Sequence, residues 1–365
     1  MRHLRTICTL LVALGLLAVL LAPVFADGVD TSALAPEDLL AAVPALADVP
    51  GVVAIPADYW PEFPQCYPAA GDPDARPGER LYVAQSFLKF NDQDHSRLEV
   101  TVRLFNTPKQ AHRAFVDGAS REVQEATVLK GPRLGDERRY FSVSARSGQT
   151  TMRYRVGPMM GRVTLLSPGA PPALDAVTKF GAALTAKLQE VLDGKLAAPN
   201  LPADFAQLMP PAAVATEVGP VLLSVVVPLE SFALPSADMK PVAVRDMLKA
   251  GGVTNLYFRI YGVSALPGQF LAATAFRFTD PQVASDWLWT FIRSEAAHGP
   301  VYDPGDTGIL HAFTRVEDGN IELQFAKGRL VGDVSGVAPW AGLNPKLQPL
   351  VRKTAELWWH AVPLS

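Results

Sequence analysis

Ser86-Phe87-Leu88-Lys89 has the S-x-x-K spacing in which a lysine one helical turn away can take the proton of a nucleophilic serine. The surrounding run, LYVAQSFLKF, reads as a strand, and residues three apart on a strand point to opposite faces, so no serine–lysine chemistry is expected. Asn91-Asp92-Gln93-Asp94-His95 gathers oxygen donors of the kind calcium takes. It lacks the glycine at the sixth position and the acid at the twelfth that a calcium loop needs, and reads as a polar hairpin tip. Cys66, in PEFPQCYP, has no activating neighbour in sequence and reads as an inert thiol. His95, His112, His298, His311 and His360 are scattered, with no pair four apart around a glutamate for zinc hydrolysis. Gly262-Val263-Ser264-Ala265-Leu266 lacks the second glycine of a hydrolase elbow, and no phosphate-cradling glycine loop occurs. No catalytic residue, metal site or cofactor is assigned.

Two tryptophans stand out by position. In the helix predicted from residue 281, the apolar stripe runs Val283, Ala284, Trp287, Leu288 and Phe291, and Trp289 lies nearly opposite it. In the final predicted helix the stripe is Leu347, Leu350, Val351, Thr354, Leu357, Trp358 and Ala361, leaving Trp359 on another face. Trp289 and Trp359 are therefore the candidate interface residues. They face either the segment Tyr59-Trp60-Pro61-Glu62-Phe63 of the same chain or an outside partner.

The elements that position these residues are written twice. FNTPKQAHRAF (105–115) and FTDPQVASDWL (278–288) each close a strand with an aromatic residue, then supply a capping residue, a proline and an alanine-centred helix. Before each lies a pair of strand-like runs, LYVAQSFLKF and RLEVTVRLF in one, TNLYFRIYGV and QFLAATAFRF in the other. Upstream again, APEDLLAAVP and LPADFAQLMP align as short proline-bounded helices. After each helix come a glycine (Gly135, Gly308), three short strands joined by tight turns, and a closing helix. The expected fold is α+β, with two similar modules at 34–195 and 202–362 joined by a linker at 196–201. Each is expected to be an antiparallel sheet with helices packed on one face, and the second to fold by itself. VLLSVVV (221–227) is expected to be a buried strand.

The first 26 residues, MRHLRTICTLLVALGLLAVLLAPVFA, show the basic start, apolar middle and small-residue exit of a secretory signal, with cleavage expected after Ala26. Removing Arg2 and Arg5 and no acid takes the formal charge from −3 to −5, which gives no electrostatic reason to seek nucleic acid or anionic lipid. Cys8 leaves with the signal, so Cys66 has no disulfide partner, and no later run has membrane length. The layout, through the motif at 105–111 and 278–284, resembles the duplicated exported modules of bacterial secreted proteins and lipoproteins. More loosely it resembles the extracytoplasmic sensor domains of bacterial Ser/Thr kinases. The signal points to a secreted or periplasmic protein, and the cleft that a duplicated module offers between its copies, with no catalytic spacing in the sequence, points to a non-enzymatic protein that binds, senses or interacts with a protein or small ligand. The alternative is a secreted hydrolase whose site assembles only in three dimensions.

Overall fold

The computed structural model describes residues 31–49, 59–89, 96–122, 126–143, 148–168, 171–233, 241–296, 301–302, 313–317, 320–340 and 342–363. The expected signal, the Asn91–His95 tip and Gly308 lie outside them. Two antiparallel sheets carry the chain. The first holds β1 (Tyr59–Pro61), β2 (Gln65–Pro68), β3 (Glu79–Lys89), β4 (Arg97–Phe105), β5 (Ala126–Leu129), β6 (Glu137–Val143), β7 (Gln149–Val156) and β8 (Met159–Leu166). Its order is β1-β3-β4-β8-β7-β6-β5, with β2 also paired to β3. The second holds β9 (Val221–Val227), β10 (Leu256–Gly262), β11 (Phe270–Arg277), β12 (Val301–Tyr302), β13 (Phe313–Glu317), β14 (Asn320–Lys327) and β15 (Leu330–Val337), in the order β12-β13-β14-β15-β11-β10-β9. From β3 to β8 and from β10 to β15 the two paths follow the same strand order.

The helices are α1 (Pro36–Ala41), α2 (Pro108–Glu122), α3 (Leu174–Leu192), α4 (Phe205–Leu208), α5 (Ala212–Glu217), α6 (Glu230–Ala233), α7 (Pro241–Ala250), α8 (Pro281–Ala296) and α9 (Leu347–Ala361). The fold is α+β, as expected. The repeated cap does what its residues suggest. Thr107 Oγ1 accepts from the Gln110 amide at 3.2 Å, and Asp280 Oδ1 accepts from the Gln282 amide at 2.7 Å and the Val283 amide at 3.3 Å. Pro108 and Pro281 follow, where a missing amide donor costs nothing.

Helices cover both faces of each sheet, which corrects the expectation of one. On β7 and β8, Met152, Tyr154, Val156, Met159, Val163 and Leu165 join the buried stripe Val177, Phe180, Leu184, Leu188 and Val191 of α3. Met160 points the other way and packs, with Phe105, against Ala111, Ala114 and Phe115 of α2. In the second sheet Leu323, Phe325, Leu330 and Val334 meet α9, while Ala326 and Val331 share a cluster with Ala284, Trp287 and Leu288 of α8. The physical cause is visible on β11, where FLAATAF is buried at every position. A strand solvated on one face alternates apolar and polar residues; one covered on both does not.

The apolar residues of the two halves run into each other. One continuous cluster holds Val83, Val100 and Phe180 from the first half together with Leu223, Phe258, Phe270 and Phe276 from the second. The joint is aromatic: Phe63 lies 4.9 Å from Phe258, Tyr67 lies 4.6 Å from Phe270, and Trp340 stands edge-on to Tyr67 at 5.3 Å.

Candidate functional site

Two acids at the start of α1 set up a cleft. Pro36 opens the helix, and Asp38 reaches back to accept from the Ala35 amide at 3.2 Å. Its other oxygen accepts from the Ala198 amide at 2.8 Å, which ties the linker to α1. Glu37 accepts from the Ser224 amide at 2.8 Å and so ties α1 to β9, the outermost strand of the second sheet. Such a carboxylate on an outward amide also blunts a sheet edge against pairing with another strand.

Between the three tethered pieces lies a cavity of about 810 Å³. One wall is Leu40, Val43, Pro44 and Leu46; the linker adds Pro199 and Leu201, and Pro202 follows it; β9 adds Val225, Val226 and Val227; Tyr59, Pro61 and Phe87 complete it from the first sheet's edge. VLLSVVV is thus an edge strand, exposed at Val221, and not the buried one expected. The polar groups in the lining are mostly occupied by the protein itself. Gln85 donates to the Glu62 and Ser86 carbonyls at 2.7 and 3.0 Å, and Ser224 Oγ accepts from Arg259 at 3.0 Å. The described lining has no lysine, arginine, histidine or cysteine. A cleft of this size with an apolar wall suits a small, largely uncharged ligand.

The residues singled out in the sequence do not converge on this cleft. Ser86 and Lys89 both lie on β3, as the strand pattern requires. Cys66 is fully buried, its thiol is pushed up to about 12 by burial first and the nearby Glu37 carboxylate second, and its sulfur lies 3.9 Å from the Leu222 carbonyl. His112 pairs with Glu137 on the surface at 2.8 Å. Among the described residues no group of three or more histidines, cysteines and acids is placed to hold a metal ion.

The two tryptophans part company. Trp289 is 40% exposed on α8. Trp359 is 8% exposed and belongs to the core of its own half, which corrects the expectation that it faces away from that core. Its ring stands edge-on to Phe325 at 6.0 Å, with the Lys327 ammonium 5.0 Å from the ring centre. Helix α9 is wedged between the sheet and the α4–α5 segment, where Trp358 donates to the Leu208 carbonyl at 2.9 Å, so more than one stripe is buried. The segment expected to cover the tryptophans goes elsewhere, with Trp60 under the Arg245 guanidinium at 5.4 Å and Phe63 on Phe258. Sequence reasoning missed Glu37 and Asp38, whose position in a first helical turn reads simply as favourable to the helix dipole.

Set against known proteins, the chain matches no family model, and no curated protein is significantly similar to it.

Proposed function

We propose that the protein is an extracytoplasmic, non-enzymatic binding protein whose ligand is a small apolar molecule held in the cleft between α1, the linker and β9. The observation that carries this reading is the cleft's lining: aliphatic and proline side chains around about 810 Å³, with its carboxylate and its amide side chain from β3 engaged in hydrogen bonds to backbone. A hydrolase needs a nucleophile, a base and a group to stabilise charge within mutual reach. The described lining offers one serine, whose hydroxyl accepts from Arg259. The signal-like first 26 residues support export, and mass spectrometry of exported protein should find Asp27 at its start. The matching strand orders of the two sheets support descent of both halves from one duplicated module.

The test is a titration of the purified protein with a neutral long-chain alcohol, followed by melting temperature and by displacement of a neutral fluorescent probe. A ligand that binds only the native state must raise the melting temperature. Leu201, 41% exposed at the cleft, gives the control: Leu201→Asp should leave the fold intact and abolish the shift. If the alcohol produces no shift, or if Leu201→Asp responds like the parent, the cleft is not the binding site.

A further inference from the structure

Next to the amide that Glu37 holds, the outer edge of the second sheet has an open position. Antiparallel strands turn the N–H and C=O of alternate residues toward the partner strand and those of the residues between away from it. Ser224 is opposite Arg259 on β10, but its amide donates to Glu37 of α1, so its backbone groups point outward. Val226 is opposite Tyr257 in the same unbroken stretch of register, and two residues further on it points outward as well. β9 is the last strand of its sheet, and among the described residues neither backbone group of Val226 has a hydrogen-bond partner. Val226 lines the cleft.

The open position is one residue wide. On one side Glu37 takes the Ser224 amide at 2.8 Å; on the other the next outward residue is Pro228, which has no amide to give. A whole peptide strand therefore finds no ladder to extend here, whereas a single polar group does. A ligand that filled the cleft with hydrocarbon alone would strip water from both Val226 groups and return nothing to them. The bonded pair needs an acceptor and a donor on adjoining atoms. A primary carboxamide has both, its carbonyl oxygen accepting from the Val226 amide and its nitrogen donating to the Val226 carbonyl. A carboxylate of the same shape lacks the donor, and the Glu37 charge stands about 7 Å away along the strand to repel it.

We propose that the ligand of the cleft is an aliphatic chain ending in a primary carboxamide, whose head pairs with the backbone of Val226. This rests on the cleft being the binding site, as proposed above, and adds the class of molecule it takes.

Ligands of one shape separate the chemistry: octanamide, nonan-2-one and octanoate are titrated into the purified protein by calorimetry, with octan-1-ol as the test of the cleft itself. Octanamide should bind about tenfold more tightly than nonan-2-one, which accepts but cannot donate, and octanoate should bind most weakly. Val226→Pro removes the amide donor at a sheet edge, where proline is tolerated, and should weaken octanamide by about tenfold with its melting curve unchanged. If that variant does not fold, the ligand series decides alone. Binding of octan-1-ol with octanamide no tighter than nonan-2-one, or no tighter than octanoate, overturns the carboxamide head and leaves the cleft as a binding site. Octanamide bound as tightly by folded Val226→Pro as by the parent overturns it too. Absence of binding by every ligand, octan-1-ol included, overturns the cleft and this inference together.

Discussion

The joint between the halves can be measured through Tyr67 and Phe270. Tyr67 comes from β2 of the first sheet, Phe270 from β11 of the second, and their rings lie 4.6 Å apart with exposures of 4% and 2%. An aromatic side chain buries about 200 Å², which at about 25 cal/mol per Å² corresponds to about 5 kcal/mol. The unfolded chain is partly compact, which lowers this to about 3 kcal/mol, and an unfilled cavity raises it again. Each single change to alanine should therefore cost about 3–4 kcal/mol in urea unfolding. Because each ring is the other's neighbour, the double variant should be less destabilised than the two losses combined, by about 0.5–1.5 kcal/mol. The same joint bears on the isolated second half, which the repeat in sequence suggests can fold alone. Residues 200–365 would present Phe258 and Phe270 without Phe63 and Tyr67, so their melt is expected to be broad and non-cooperative. Additive losses in the cycle, together with a sharp cooperative melt of residues 200–365, would refute a shared core.

Trp359→Ala should destabilise by about 3–4 kcal/mol, since the ring is buried against Phe325, whereas Trp289→Ala, on an exposed site, should stay within about 0.5 kcal/mol; chemical unfolding of both decides it. Asp333 is buried and accepts from Gln324 at 2.8 Å, and its carboxyl is held well above the usual 3.8 by burial first and by the charge of Glu322 second. A folded-state value above the unfolded one means that the native protein holds the extra proton. This contribution is complete below pH 3.8 and is lost as the pH rises toward the raised value. Asp333→Asn should accordingly flatten the fall in stability on the alkaline side of pH 3.8 and raise stability at neutral pH, and melting curves across that range would expose an error if the two proteins ran parallel. Cys66, fully buried with a thiol pushed up to about 12, should react with an aromatic disulfide reagent at pH 8 only as fast as the protein opens; immediate reaction in native buffer would contradict its burial.

Much of the fold was legible because local rules and tertiary structure agree over most of its length. RLEVTVRLF alternates, ends at a capped proline, and forms β4 over those same residues. What escaped were the elements whose sequence argues against them. YWPEFPQCYP carries three prolines, yet forms β1 and β2, because at a sheet edge a residue without an amide donor need not break the ladder. The second sheet's two-sided burial was written in FLAATAF, but a fully apolar run does not say which helix covers which face. Trp359 was misplaced for a related reason: a helical wheel assigns one buried stripe, and α9 touches two neighbours.

The cleft was not legible at all, and the cause lies in how it is made. Its tethers join Glu37 to Ser224 and Asp38 to Ala198, pairs separated by 187 and 160 residues, so no local spacing announces them. Those contacts also fix the chemistry of the space they enclose. A carboxylate free to face the cleft would favour a cationic ligand; Glu37 instead holds the Ser224 amide, and its charge serves the edge of the second sheet. If the cleft holds the proposed ligand, Leu40, Leu201 and Val226 would supply most of the contact and selection of its apolar part would rest on shape and apolar area, with the Glu37 carboxylate, held by the Ser224 amide, at its edge.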